Sequence, residues 1–235
     1  TALAARTVRA RPHSARVVER STGRLAVPVQ DGAFAAIPGG AMLLGGLSAA
    51  DTSRTDIRLL RPGADRAGGR LPTALHDTAA VRIGRAVYLF GGGTGANTQS
   101  SEVLRVGLSG GNAVAVAHLP APSSDQAGAV WGGTEYVVGG YTGTRWLNTI
   151  VRWRPGQQPR VVGHLPVALR YAAVASAAGR IVIAGGSTPA GTASDAVLSF
   201  DPATGRVARI GRLPSPTTHA AAAALTSARA SVLSA

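Results

Sequence analysis

Five pairs of neighbouring residues, nearly all polar, stand five and six positions after a leucine that itself recurs along the chain. The leucines are Leu25, Leu71, Leu119, Leu165 and Leu213. The pairs are Gln30-Asp31, His76-Asp77, Ser124-Asp125, Arg170-Tyr171 and Thr218-His219. Small and apolar residues follow each pair. Carboxylates, imidazoles, a guanidinium and a phenol at equivalent positions can bind a polar ligand or a peptide.

The repeated acids in this set also allow a structural interpretation. Three equivalent positions hold the same residue type, namely Asp31, Asp77 and Asp125. A carboxylate at that place can accept hydrogen bonds from loop amides in each repeat. Arg170-Tyr171 and His219 depart from the repetition, and we therefore expect them to contact a ligand more directly than the aspartates.

Metal binding and catalysis find little support among the remaining chemistry-bearing residues. The chain has five histidines and no cysteine, and no pair of histidines has the close spacing of a metal site. His118 and His164 come directly before repeated leucines, where arginine stands in other repeats, and are expected on the surface. We predict no metal, no cofactor and no catalytic residue, although a group of His76, His219 and an aspartate across the fold stays open.

A fixed period organises the chain. The repeated leucines lie 46 or 48 residues apart, and a glycine pair follows each of the first four by twenty residues. The glycine pairs are Gly45-Gly46, Gly91-Gly92, Gly139-Gly140 and Gly185-Gly186. Two markers at one constant offset indicate stacked structural units.

Each unit has the pattern of four short strands. An apolar run such as Val87–Phe90 ends at the glycine pair and predicts a buried strand. A small-residue run such as Thr78–Val81 precedes it, and an alternating run such as Glu102–Val106 follows. Turn residues at 201–205 separate a third strand from a fourth. Four antiparallel strands in each repeat predict an all-β propeller in which each unit is one blade.

An apolar strand that ends in Gly-Gly and recurs in this way resembles the kelch repeat, and the resemblance covers almost the whole chain. The aromatic residue of the third strand is represented by Trp153 and Phe200, whereas Leu60 and Val106 replace it earlier. The pattern is similar to kelch proteins of GC-rich bacteria. It implies complete blades at about 25–70, 71–118, 119–164 and 165–212, after an extension at 1–12.

Both ends of the repeat array look incomplete in sequence. Residues 13–24 hold a fourth strand without its inner strands, and the repeat that begins at 213 has Leu233-Ser234 where its glycine pair is due. We therefore expect partial strands at 13–24 and 213–235, a fragment of a six-bladed ring, and self-association through unclosed blade edges.

The amino-acid composition narrows the classes of partner that the chain is expected to bind. The net charge is +13, but all 24 basic residues are arginine and they are dispersed, which argues against the clustered contacts of a nucleic-acid site. No apolar run is long enough to span a bilayer. We expect a protein or carbohydrate polymer as partner, and we favour an extracytoplasmic location in which any membrane tether would lie outside this chain.

Two functions from different classes follow. The first is a binding or scaffold module that recognises a protein or cell-surface polymer through the loops between strands four and one and between strands two and three. Its candidate residues are the polar pairs together with Arg145 and Trp146 from the second loop of the third blade. The resemblance also implies an alternative, since some kelch-type propellers are sugar-modifying enzymes, including sialic-acid epimerases, that act at the channel mouth.

Overall fold

The structure is a computed structural model that describes residues 20–95, 97–225 and 229–234. Within these ranges all regular secondary structure is β-strand, numbered β1 to β20 in chain order. None of the described residues belongs to a helix with the length and apolar character needed to cross a membrane.

Four antiparallel sheets of four strands each contain most of the described chain. The first consists of β1 (Ala33–Ile37), β2 (Gly40–Leu44), β3 (Arg54–Arg61) and β4 (Ala64–Leu75). The second consists of β5 (Ala79–Ile83), β6 (Ala86–Phe90), β9 (Glu102–Gly107) and β10 (Val114–His118), and its loop carries the short pair β7 (Gly93–Gly95) and β8 (Thr98–Gln99). The third consists of β11 (Ala127–Trp131), β12 (Thr134–Val138), β13 (Thr149–Trp153) and β14 (Arg160–His164). The fourth consists of β15 (Ala173–Ala177), β16 (Arg180–Ala184), β17 (Ser194–Phe200) and β18 (Val207–Thr217).

The sheets are arranged around their first strands. Within each sheet the four main strands pair in chain order, and the first strands of successive sheets pack together: β1 on β5, β5 on β11, and β11 on β15. This arrangement is propeller-like, and it confirms the predicted all-β architecture of four-stranded antiparallel units.

Hydrophobic cores lie between successive sheets. Met42 and Ile57 of the first sheet pack in one cluster with Leu104 of the second. Between the second and third sheets, the buried Trp153 ring meets Phe90 edge-on at 5.4 Å between centroids. Phe200 fills the equivalent place between the third and fourth sheets, 5.6 Å from the Tyr136 ring. Large aromatic residues on third strands therefore hold neighbouring sheets together.

The glycine pairs connect each sheet to the segment that leads into the next sheet. The second glycine of each pair donates a hydrogen bond to a carbonyl of that segment, as Gly92 does to Ser123 at 2.8 Å. The first glycine lies so close to the same carbonyl that a Cβ on Gly91 would stand 2.3 Å from the oxygen, and the distance is the same at the other three pairs, Gly45, Gly139 and Gly185. Gly91 also has φ +60°. A side chain would break this contact, which explains the repeated Gly-Gly.

Beyond the fourth sheet, β19 (Ala220–Leu225) and β20 (Arg229–Ser234) form an antiparallel pair. The strand β19 packs beside β15, as the other first strands pack beside their neighbours. The second strand therefore forms although its sequence lacks a glycine pair. The predicted outer strand at 13–20 lies outside the described residues except for Arg20, which is not in a strand.

Candidate functional site

The second residue of every polar pair has the same unusual backbone conformation. Its φ is positive in all five repeats, at 50° for Asp31, 50° for Asp77, 61° for Asp125, 53° for Tyr171 and 53° for His219. Glycine adopts this conformation freely, aspartate tolerates it, and tyrosine and histidine adopt it at a cost of about 1 kcal/mol or more.

Backbone hydrogen bonds between repeats explain this conformation. The amide of Asp77 donates to the carbonyl of Asp31 at 2.9 Å, and the amide of Asp125 donates to the carbonyl of Asp77 at 3.0 Å. The amide of Tyr171 continues the series by donating to the carbonyl of Asp125 at 2.9 Å. These bonds form a belt that ties successive sheets together where their first strands begin.

The side chains of the five residues with positive φ surround one cavity of about 400 Å³, which we call the axial cavity. Its polar wall consists of Asp31, Asp77, Asp125, Tyr171 and His219, with Thr78 and Gln126. The rest of the wall is small, formed by Gly32, Ala127, Ala172, Ala220 and Ala221. The fold therefore brings five of the predicted site residues together from five different repeats.

The first residue of each pair lies behind the axial cavity. Isolated β-bridges join these residues to the position directly after the glycine pair: Gln30 to Leu47, His76 to Gly93, Ser124 to Tyr141 and Arg170 to Ser187. The bridges join the segments between strands four and one to the loops between strands two and three. These first residues position the second ones and do not line the cavity wall.

Arg170 is held by aromatic rings and by a carboxylate. Its guanidinium carbon lies 4.4 Å from the centre of the Tyr141 ring, 5.1 Å from Trp146 and 5.0 Å from Tyr171. Its Nε forms an ion pair of 2.5 Å with Oδ2 of Asp125, without the geometry of a hydrogen bond. Arg170 also donates through Nη2 to the Tyr171 hydroxyl at 3.1 Å. These contacts fix the side chains of Asp125 and Tyr171 at the cavity wall.

Tyr171 and His219 form a stacked pair in the wall. Their ring centroids are 3.9 Å apart with an angle of 23° between the planes. Thr218, directly before His219, shares a hydrogen bond of 2.6 Å with the Ser187 hydroxyl. The wall thus offers a rigid aromatic surface to whatever enters the cavity.

The two candidates from the loop between the second and third strands of the third sheet, Arg145 and Trp146, lie in different places. Trp146 stays with the site, because it packs edge-on against Tyr141 at 6.3 Å and covers Arg170. Arg145 is exposed and lines a different cavity of about 200 Å³, together with Leu119, Leu147 and Val161. The structure therefore does not bring Arg145 to the axial cavity.

Electrostatics in the axial cavity favour a protonated carboxyl group. Burial, the negative charges of Asp125 and Asp31 and a hydrogen bond with Asp125 together raise the pKa of Asp77 from 3.8 to about 8, against the opposing effect of the Arg170 charge. Burial and the neighbouring carboxylates also raise the pKa of Tyr171. At neutral pH Asp77 is therefore a hydrogen-bond donor, and Tyr171 keeps its hydroxyl proton.

Three members of the site were absent from the predicted set. Thr78 and Gln126 line the cavity, and Tyr141 supports Arg170. Gln126 is 6% exposed, and its Nε2 donates to the carbonyl of Phe90. Their positions in the sequence could have identified two of them, because Thr78 directly follows Asp77 and Gln126 directly follows Asp125. In the described parts of the chain no group of three or more histidine or acidic side chains is arranged to hold a metal ion.

Comparisons with known proteins agree with the fold. No family model and no curated protein matches this sequence. Among solved structures, the one titled "Structure of YjhT" is similar, with a TM-score of 0.70 and 18% sequence identity, over 85% of this chain and 70% of that one. This similarity places the chain among all-β proteins with a propeller-like fold.

Proposed function

We propose that the chain is a kelch-type binding module that recognises a protein or a cell-surface polymer, with the axial cavity as the centre of its recognition surface. One observation carries the proposal. Five equivalent residues from five repeats surround a single cavity, and all five keep side chains at positive φ.

The side chains at these positions are not needed for the backbone belt. Glycine would satisfy the same hydrogen bonds without strain. Tyr171 and His219 instead keep bulky rings in a left-handed conformation, and Asp31, Asp77 and Asp125 place acids close to one another. Strain and repulsion retained around one cavity are typical of a functional site.

The size and chemistry of the site suit part of a larger ligand. A cavity of about 400 Å³ accommodates one side chain or one sugar ring. The loop that carries Tyr141 and Trp146 stands beside it and offers further contacts to the remainder of a polymer. Recognition through a central anchor with surrounding contacts is common in protein interfaces.

The finer architecture belongs to the same proposal. The blades run over about 25–70, 71–118, 119–164 and 165–212, and the partial repeats at 13–24 and 213–235 belong to a six-bladed ring. An extracytoplasmic setting is part of the same proposal. Both statements concern the whole protein and are tested by its length and location in the cell.

A second candidate function is a sugar-modifying activity of the sialic-acid epimerase type. The observation that favours it is the raised pKa of Asp77, about 8, beside Tyr171 and His219. A carboxyl that holds a proton near neutral pH can act as a general acid and, once ionised, as a general base. An assay for turnover of sialic-acid-like sugars tests this alternative.

Glycan and peptide arrays test the proposal. The wild-type protein is compared with Asp77→Asn and with Asp51→Asn as a matched control, since Asp51 also has positive φ, at 52°, but lies outside the cavity wall. We expect binding that weakens at least tenfold in Asp77→Asn and is unchanged in Asp51→Asn. Absence of binding together with turnover of a sialic-acid-like sugar would establish the alternative instead.

A further inference from the structure

Acidic groups outnumber basic ones at the axial cavity. Asp31, Asp77 and Asp125 line the wall, and no arginine is among the described residues that line it. Arg170 lies behind the wall, where it pairs with Asp125 and is covered by three aromatic rings. With Asp77 protonated at neutral pH, the carboxylates of Asp31 and Asp125 outnumber the single guanidinium of Arg170, so the local charge is negative although the chain as a whole carries +13.

Buried hydrogen-bond acceptors in the same wall lack donors. Gln126 is 6% exposed, and its Oε1 has no hydrogen-bond partner among the described residues. The Thr78 hydroxyl is in the same condition. Buried acceptors of this kind are normally satisfied, and they can accept hydrogen bonds from a group that enters.

We infer that the axial cavity binds an organic cation, a guanidinium or ammonium group presented by the ligand. This inference rests on the proposed binding function and specifies its ligand. Such a group supplies N–H donors to Gln126, balances the carboxylates, and lies against the stacked rings of Tyr171 and His219. An arginine or lysine side chain of a protein and an amino sugar of a polymer share this chemistry.

Proton release should accompany cation binding. Asp77 is protonated in the empty cavity at neutral pH because burial and the neighbouring carboxylates raise its pKa. A cation beside Asp77 lowers that pKa, and the proton leaves to solvent as the ion pair forms. Affinity for the cation therefore increases as pH rises toward about 8, whereas affinity for an anion would decrease.

Calorimetric titration of the intact chain tests the inference. The probes are Nα-acetylarginine amide, Nα-acetyllysine amide and glucosamine, with N-acetylnorleucine amide and N-acetylglucosamine as matched neutral controls. We expect saturable binding of at least one cation, at least tenfold weaker binding of its neutral control, and heats that differ between buffers because protons are released. Asp77→Asn should abolish the proton release and Asp51→Asn should preserve it. Preference for the acetylated arginine or lysine amide indicates a protein ligand, and preference for glucosamine indicates a carbohydrate polymer.

The outcomes separate the inference from the proposed function. Equal binding of charged and neutral probes, or binding without proton release, contradicts the inference. A third outcome is that the arrays capture neutral or acidic ligands, that this capture is lost in Asp77→Asn, and that no cation binds. This outcome supports the binding function and contradicts the inference that the ligand is a cation. Failure of all probes and all arrays contradicts both.

Discussion

Arg170 and Asp125 come from consecutive repeats and form an ion pair of 2.5 Å between Nε and Oδ2, with the Arg170 side chain 23% and the Asp125 side chain 2% exposed. The pair joins the segment before the third sheet to the segment before the fourth, at the wall of the axial cavity. Because Asp125 is buried, its charge depends on this partner.

Loss of the guanidinium should therefore destabilise the fold. Arg170→Met keeps an apolar stem against Tyr141 and Trp146 but leaves Asp125 unpaired, and we expect a loss of about 3 kcal/mol in the free energy of unfolding. Urea denaturation measures it. The exposed Arg145→Met is the control, with an expected change within about 0.5 kcal/mol, and Arg170→Met/Asp125→Asn should recover most of the loss. Equal effects of the two single variants would contradict the role of the pair.

Two glycines with similar backbone conformation allow the stability cost of a positive φ to be separated from the stability cost of a steric clash. Gly84 and Gly91 have φ of 59° and 60°. A Cβ on Gly84 meets nothing within 4 Å, whereas a Cβ on Gly91 stands 2.3 Å from the carbonyl oxygen of Ser123. We expect Gly84→Ala to cost about 1 kcal/mol, and Gly91→Ala to cost at least about 2 kcal/mol more. Similar midpoints of thermal unfolding for the two variants would show that the contact between sheets is not close.

Glu135 should make the free energy of unfolding depend on pH. It is 0% exposed, neither carboxylate oxygen has a hydrogen-bond partner among the described residues, and burial raises its pKa from 4.5 to about 8. The folded state thus holds a proton that the unfolded state releases above pH 4.5, so stability decreases as pH rises from 4.5 to about 8 and changes little above that. Glu135→Gln removes this dependence, and at about pH 9 we expect it to be more stable than the wild type by at least about 2 kcal/mol.

The control for Glu135 is Glu102→Gln, because Glu102 is only partly buried. Denaturation curves at about pH 6 and about pH 9 give the comparison. If the difference between wild type and Glu135→Gln is the same at both values, the buried carboxyl does not titrate as described.

Asp77 contributes in the same direction through the axial cavity. Its pKa of about 8 in the folded state, against 3.8 as its ordinary value, means that stability is lost as pH rises from about 4 to about 8. Asp77→Asn keeps a side chain that tolerates positive φ and removes the charge. We expect a flatter pH profile of the unfolding free energy, and carbon-detected NMR of the wild-type carboxyl should show a midpoint near 8. A midpoint near 4 would contradict the electrostatics of the cavity.

The repeat architecture could be predicted from the sequence because its closest contact between segments fixes the residue type. The carbonyl at 2.3 Å from the Cβ position of Gly45, Gly91, Gly139 and Gly185 excludes every side chain, so the sequence repeats glycine where the structure repeats the contact. The formation of β20 could not be predicted in the same way, because its sequence lacks that marker.

The candidate site was predictable in position but not in orientation. Counting from the leucines identifies the polar pairs, and the structure gathers the second member of each pair at the cavity. The choice between first and second members depends on the positive φ of residues such as Tyr171, which the sequence does not reveal for a residue other than glycine. The sequence likewise does not reveal that Arg145 lines a different cavity while its neighbour Trp146 contacts Arg170.

The most direct test of the account is a crystal structure of the protein with the tightest ligand from the arrays. We predict that the ligand lies in the axial cavity, within hydrogen-bond distance of Asp77 or Gln126 and against the Tyr171 and His219 rings. A ligand bound on the outer strands or on the opposite face, with the axial cavity free of it, would contradict the central claim.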